Sequence, residues 1–155
     1  MASEHLLTKD VFGFLRPEQI NKISEASVIA KFAAGETIYT KGAKASHLYV
    51  VIEGEVALRL PGKGPVSVLI DQLGPGAMFG SSVSFDSAAY MLMAQSLTDG
   101  KVLRIETAVL RRLMDEDTRM GYAMQSRISE IYFRRYVDTM QKLQAIVMNL
   151  PLEAR

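Results

Sequence analysis

Short β-type segments separated by glycine and proline occupy the middle of this chain, from about residue 27 to about residue 105. The clearest are residues 28–32, 37–39, 48–52, 56–60, 66–70 and 102–105. Turn sequences such as Glu53-Gly54 separate them at spacings of about 8–12 residues, which is typical of antiparallel rolls, sandwiches and barrels. We therefore predict a mainly β fold, an antiparallel, jelly-roll-like β-roll, with helices before and after it.

The helices are indicated by periodicity and by their end residues. Pro17 suits the first position of a short N-terminal helix. Thr107 is placed to cap a second short helix that ends at about Met114. A third helix is predicted from about residue 118 or 119 to about residue 149, roughly 45 Å long at 1.5 Å per residue, with Pro151 marking its end.

Apolar residues recur along this long helix at steps of three and four residues. A domain with a core of this size does not cover so long a stripe, so part of it needs another partner, and a second copy of the same helix is the simplest one. The sequence therefore predicts a homodimer through the C-terminal helix. Its interface residues would be Met124, Ile128, Ile131, Tyr132, Tyr136, Met140 and Leu143. The alternative is that the helix folds back over its own β-roll.

The composition narrows the class of protein. The 155 residues suit a single domain over residues 1–155, with the β-roll at about 27–105 and the last two helices at about 107–149. Lys and Arg number 18 against 17 Asp and Glu, so no overall charge favours a nucleic acid or an anionic membrane. With no cysteine, no signal-peptide pattern and no apolar run of about 18 residues, we expect a soluble cytoplasmic protein without a membrane partner.

Four motifs then occur in a specific order. They are FxxGExIxxxG at residues 32–42, LYVVIxGxV at 48–56, LxxGxxFG at 73–80 and VLRI at 102–105. In this order they resemble the cyclic nucleotide-binding domain, and residues 115–143 resemble the dimerisation helix of the bacterial catabolite-activator and fumarate-nitrate-regulator (Crp/Fnr) family. The resemblance extends over about residues 10–145. It implies a β-roll that binds a small ligand and reports on it through the long helix.

In that family the cyclic phosphate lies at the start of a short helix. Backbone N–H groups, a glutamate that binds the ribose and an arginine that pairs with the phosphate hold it there, as expected for an anion at a helix N-terminus. Residues 79–91 match this segment here. The resemblance assigns ligand binding to Gly80, Ser81, Ser82, Val83, Tyr90 and Met91, and to Arg135 on the long helix, which aligns with a base-contacting position.

Two of the family's charged residues are replaced in this segment. Ser81 or Ser82 stands at the glutamate position, and Tyr90 stands at the arginine position. No Lys or Arg occurs between Lys63 and Lys101. Since each charged hydrogen bond contributes about 1.5–3 kcal/mol, we expect weak or altered nucleotide binding. The serines then either bind a less charged ligand or only form turns and caps, and Tyr90 and Met91 are candidates to fill the pocket.

The sequence provides little support for a metal site, a hydrolase active site or a haem site. The only two histidines are His5 and His47, too few for a cupin-like metal site or for a serine hydrolase, and there is no GxSxG motif. Haem needs axial ligands that nothing in the sequence marks out. We therefore predict no catalytic residues, no metal and no cofactor. Because the sequence ends soon after the long helix, we also expect no direct DNA binding by this chain.

Two functional hypotheses follow. The first is a regulatory sensor module that binds a small, nucleotide-like ligand. The second is a ligand-free, degenerate β-roll that acts in dimerisation or protein interaction. A further alternative is that the chain is the sensor half of a Crp/Fnr-type transcription regulator.

Overall fold

A computed structural model describes residues 12–80 and 89–149 of the chain. Its helices are α1 (Pro17–Glu25), α2 (Thr107–Glu116) and α3 (Thr118–Met148). Its strands are β1 (Ser27–Phe32), β2 (Thr37–Tyr39), β3 (His47–Glu53), β4 (Val56–Pro61), β5 (Ser67–Leu73), β6 (Met78–Phe79), β7 (Met93–Ser96) and β8 (Gly100–Glu106). The predicted fold class, a β-roll with a short N-terminal helix and a long C-terminal helix, is confirmed.

The strands form two antiparallel sheets of four. One has the order β1-β8-β3-β6, and the other has the order β2-β7-β4-β5. Consecutive strands often lie in different sheets, so the chain crosses repeatedly between the two layers and encloses the space between them. This topology brings β2, β3, β6 and Tyr90, which precedes β7, together at one end of the roll.

Strand β3 is buried on both of its faces. Tyr49 and Val51 point between the sheets and belong to the core of the roll. Leu48 and Val50 point the other way and pack in a second core with the helices, as the alternation of side chains along a strand requires. The helices therefore form a third layer, and the apolar run 48–52 reflects a strand covered on two sides.

Asp117 joins the helices to one another. Its carboxylate accepts a hydrogen bond from the backbone N–H of Met120 at 3.1 Å and so caps the N-terminus of α3. It also accepts one from Nε2 of the buried Gln19 of α1 at 2.9 Å. In the first turn of α3, Gly121 lies so close to α2 that a Cβ there would be 2.7 Å from the carbonyl oxygen of Met114. The joint between α1, α2 and α3 is thus tightly packed.

Two details differ from the sequence prediction. Strands β6 and β7 were not predicted, since β6 has only two residues and β7 carries Ala94, Gln95 and Ser96. Thr107 does not cap α2, because its hydroxyl donates instead to the carbonyl oxygen of Ala45 at 3.0 Å. That bond ties α2 to the loop before β3.

Asp117 gives a prediction about pH. Hydrogen bonds from Gln19 and Met120 hold the pKa of this carboxyl below its usual range. A lowered folded-state pKa stabilises the fold above the unfolded value of about 3.9, and this stabilisation is lost as the pH falls through the folded-state pKa. We expect Asp117→Asn to lower the free energy of unfolding at pH 7 and to lower it less at pH 2, measured by urea denaturation.

The control is Asp115→Asn, which removes the same charge two residues earlier. Among the described residues, the side chain of Asp115 makes no hydrogen bond, so Asp115→Asn should lower the free energy of unfolding at pH 7 less than Asp117→Asn does. Equal effects of Asp117→Asn at both pH values would contradict the assignment.

Candidate functional site

Four aromatic rings fill one end of the space between the sheets. Tyr39 of β2 stacks on Tyr90, with ring centroids 3.7 Å apart and planes 16° apart. Tyr49 of β3 stacks on Phe79 of β6 at 5.1 Å and 15°. Tyr39 also contacts Tyr49 at 5.7 Å and Phe79 at 6.1 Å. We refer to Tyr39, Tyr49, Phe79 and Tyr90 as the aromatic cluster.

Tyr90 is the most firmly held member of the aromatic cluster. Its hydroxyl donates to the carbonyl oxygen of His47 at 2.8 Å and accepts from the N–H of the same residue at 3.1 Å. Its backbone N–H donates to Ala43, and its carbonyl oxygen accepts from Gly42. With 5% of its surface exposed, Tyr90 is a fixed part of the roll, in the position that the sequence alignment gives to the family's arginine.

Gly80 lies against the same rings. It has a φ of +72°, and a Cβ at this position would be 3.0 Å from the carbonyl oxygen of His47 and 3.1 Å from the Tyr49 ring. Only glycine adopts this conformation without strain and leaves this space. Gly80 thereby lets the chain pass directly over the aromatic cluster.

Burial sets the protonation of the phenols. It raises the pKa of Tyr49 to about 12 and also raises the pKa of Tyr90. The pKa of Tyr39 is raised still further, chiefly by burial, while the nearby Arg135 lowers it. All three phenols are neutral at pH 7, so they bring no charge to the aromatic cluster.

Arg135 reaches the roll from α3. Its Nε lies 3.3 Å from a carboxylate oxygen of Asp71 on β5, and its guanidinium is 5.8 Å from the ring centroid of Tyr132. Arg135 and Asp71 line a cleft of about 170 Å³ between α3 and the segment from β5 to β6. The apolar lining of the cleft comes from Leu73, Met78 and Ile131, among others.

The other predicted ligand-binding residues are placed as follows. Met91 is 76% exposed, so its side chain points away from the aromatic cluster that Tyr90 joins. Ser81, Ser82 and Val83 lie outside the described residues. Their assignment to ligand binding stays a prediction.

Helix α3 has two different faces. Met124 and Ile128 are 0% and 3% exposed and pack in the chain's own core, so they have almost no surface to offer a partner. Ile131 is half-buried against the same core. The other predicted interface residues are exposed: Tyr132, Tyr136, Met140 and Leu143. The apolar residues of the inner half of the helix therefore pack on the chain's own roll, whereas those of the outer half are exposed.

A continuous seam runs along the exposed face of α3, at alternating steps of four and three residues. It consists of Tyr122, Ser126, Ser129, Phe133, Tyr136, Met140, Leu143 and Val147, and every one of these residues is exposed. Sequence reasoning missed Tyr122, the two serines and Phe133 because it followed the single stripe that includes the buried Met124 and Ile128. A heptad count, which separates the two faces, was the available signal.

Within residues 12–80 and 89–149, no group of three or more His, Asp or Glu side chains is arranged to hold a metal ion. Within the same residues, no helix combines the length and hydrophobicity that a membrane span requires.

A family model for the cyclic nucleotide-binding domain matches residues 29–117, which is more than half of the chain. The chain belongs to the cyclic nucleotide-binding domain family. The resemblance inferred from the glycine motifs is confirmed. In this cyclic nucleotide-binding domain, Tyr39 of the aromatic cluster is near enough to Arg135 of the cleft for the guanidinium to lower the pKa of its phenol, against the larger effect of burial.

Known proteins support the same assignment. The chain is 24% identical over 108 residues to a CRP-like cAMP-activated global transcriptional regulator of Mycobacterium tuberculosis, a match that covers 70% of this chain and 48% of the relative. The chain thus spans about half the length of the curated relatives it matches.

Solved structures agree in fold. A cyclic nucleotide-binding domain from Methylobacillus flagellatus is 14% identical with a TM-score of 0.79, covering 97% of this chain and 86% of that one. The sensor domain of the transcriptional regulator DNR from Pseudomonas aeruginosa is 16% identical with a TM-score of 0.71, covering 99% and 96%.

Tyr90 yields a stability prediction for this cyclic nucleotide-binding domain. We expect Tyr90→Phe to lower the free energy of unfolding by about 1 kcal/mol, because the backbone groups of His47 lose their partner. Tyr90→Ala should cost about 3–5 kcal/mol, because the ring leaves a cavity beside Tyr39. Urea denaturation measures both.

Tyr132→Phe is the matched control, since Tyr132 is exposed, lies outside the seam of α3, and its hydroxyl makes no hydrogen bond within the described residues. Its effect should stay within about 0.5 kcal/mol. If Tyr90→Phe were as stable as the unmodified protein, the hydroxyl would have no structural role.

Proposed function

We propose that this chain is a regulatory, ligand-sensing module rather than an enzyme, and that it binds cyclic nucleotides weakly or in an altered way. The observation that carries the proposal is the buried, hydrogen-bonded Tyr90, stacked on Tyr39 at 3.7 Å. Membership of the cyclic nucleotide-binding domain family supports the sensing role. The neutral phenols of the aromatic cluster, with Tyr90 at the position assigned to the family's arginine, support weak or altered binding of cyclic nucleotides.

Weak nucleotide binding is expected because residues 79–91, which match the family's phosphate-binding segment, lack positive charge. A cyclic phosphate needs a positive charge or several backbone donors to replace its hydration. The chain has no Lys or Arg between Lys63 and Lys101, and the phenols of the aromatic cluster are neutral at pH 7. Loss of one charged hydrogen bond of about 1.5–3 kcal/mol weakens binding roughly ten- to a hundredfold.

Calorimetry with cAMP and cGMP tests this step. We expect no dissociation constant tighter than tens of micromolar, and a submicromolar constant for either nucleotide would overturn the proposal. We also expect Tyr90→Arg, which supplies a cation at this position, to bind cAMP at least about tenfold more tightly than the unmodified protein.

Met91→Arg is the control for that gain, because it adds the same charge one residue further on, at a side chain that is 76% exposed. It should change the affinity little. Far-ultraviolet circular dichroism and a thermal melt establish that each variant is folded before its affinity is compared.

We also propose that a second copy of this chain covers the seam of α3. Aromatic and aliphatic side chains at heptad spacing, exposed over the outer half of a 31-residue helix, are typical of a helix that pairs with another. The opposite face of α3 already packs on the roll through Met124 and Ile128. Pairing through the seam would bury Phe133, Tyr136 and Met140 without disturbing that packing.

Charged substitutions in the seam test the dimer. We expect light scattering to give a dimer for the unmodified protein and a monomer, or a much weaker dimer, for Met140→Glu and Tyr136→Glu, because each places an unpaired charge in an apolar interface. Gln141→Glu adds the same charge at an exposed position outside the seam and should remain dimeric. Unchanged dimers of both seam variants would exclude this interface.

A ligand-free interaction module is the second candidate. The stacking within the aromatic cluster favours this candidate, because rings that already pack on one another do not require a ligand to fill the space between the sheets. Native mass spectrometry of the purified protein separates the two candidates, since a retained small molecule supports the sensor and its absence supports the ligand-free module. The match to about half the length of a CRP-like regulator supports the role of a sensor half for the first candidate only.

A further inference from the structure

Arg135 and Asp71 form an ion pair that links the long helix to the roll. The two side chains meet at 3.3 Å, and Arg135 is the more buried of them, with 13% of its side chain exposed against 38% for Asp71. Both residues line the cleft between α3 and the segment from β5 to β6. A molecule that enters this cleft therefore meets the ion pair directly.

A second contact reinforces the same attachment. Nζ of Lys142 donates to the carbonyl oxygen of Ile70 at 3.0 Å. Arg135 and Lys142 are seven residues apart, so they lie on one face of α3, and they contact neighbouring residues of β5, an edge strand of its sheet. The outer half of the helix is thus held on the roll by two polar contacts, on the side away from the seam.

Arg135 is the cation of the long helix that lies near the aromatic cluster; a second cation, Arg104 of β8, lies near Tyr49. Arg135 is close enough to Tyr39 to lower the pKa of that phenol, against the larger effect of burial, and Tyr39 stacks directly on Tyr90. The segment between Lys63 and Lys101 has no positive charge of its own. Of these two cations only Arg135 belongs to α3, and Asp71 already neutralises it. An anionic ligand that used Arg135 would therefore have to displace Asp71.

We propose that Asp71 is a built-in competitor for anionic ligands, and that its ion pair with Arg135 is an autoinhibitory latch. The ligand class is a small anion with an aromatic or heterocyclic part, such as a cyclic nucleotide. When its anionic group takes Arg135, Asp71 is released and the outer half of α3 loses one of its two attachments to β5. This inference rests on the sensing role proposed above and names the regulation of that site.

Removal of the competitor tests the latch. In Asp71→Asn, Arg135 keeps its position near a hydrogen-bond acceptor but is no longer neutralised. We expect Asp71→Asn to bind cAMP or cGMP at least about tenfold more tightly than the unmodified protein, the equivalent of one charge-assisted hydrogen bond. Titration followed by NMR chemical shifts measures dissociation constants up to the millimolar range. The double variant Asp71→Asn/Arg135→Gln should lose the gain.

Asp138→Asn is the matched control. Asp138 lines the same cleft, and its side chain forms no ion pair within residues 12–80 and 89–149, so its removal changes the net charge equally without freeing Arg135. We expect its affinity to stay within about twofold of the unmodified protein. If Asp71→Asn and Asp138→Asn bind equally, the gain is general electrostatics and the latch is overturned.

Hydrogen exchange provides a readout that needs no ligand. Without nucleotide, Asp71→Asn should speed amide exchange in α3 beyond Ile131, whereas Asp138→Asn should not, because only the first variant replaces the ion pair to β5 by a weaker, neutral hydrogen bond. Unchanged exchange in Asp71→Asn would overturn the tethering part of the proposal.

The failure of the latch is distinguishable from the failure of the proposed function. A submicromolar constant for the unmodified protein contradicts the proposed weak binding, while the comparison of Asp71→Asn with Asp138→Asn still decides the latch. No binding by Asp71→Asn at millimolar nucleotide overturns the latch and leaves the ligand-free module as the function.

Discussion

The burial of β3 on both faces is the constraint on which the rest of this structure depends. Tyr49 and Val51 complete the core between the sheets, while Leu48 and Val50 need a cover that only the helices provide. The helices must therefore lie on this sheet, and the inner half of α3 is fixed there by Met124. The aromatic cluster and the helices are consequently linked through one strand.

Helix α3 then divides its surface between two tasks. One face packs on the roll and, further out, attaches to β5 through Arg135. The opposite face carries the apolar seam. Because the two faces do not compete, a second copy of the chain is able to bind while the roll keeps its hold on the helix. Any movement of the outer half relative to β5 would be carried directly to a partner on the seam.

Most of the fold was predictable from the sequence because its signals are local. Glycine and proline mark the turns, apolar alternation marks strands such as 56–60, and the long helix was predicted within a residue or two of Thr118–Met148. The short strand β6 and the polar strand β7 escaped prediction, since they are strands only because neighbouring strands pair with them. Thr107 was wrongly taken as a cap, because its distant partner Ala45 is invisible in the local sequence.

For the site, the sequence by itself determined the family, the replacement of the phosphate arginine by Tyr90 and the shortage of positive charge, since these depend only on residue identity and order. Only the tertiary structure decided that Tyr90 is hydrogen-bonded inside the roll, that Met91 beside it points to solvent, and that Arg135 is paired with Asp71. The physical reason is that side-chain burial and ion pairing depend on residues distant in the chain, here 43 and 64 positions apart, that no local pattern brings together.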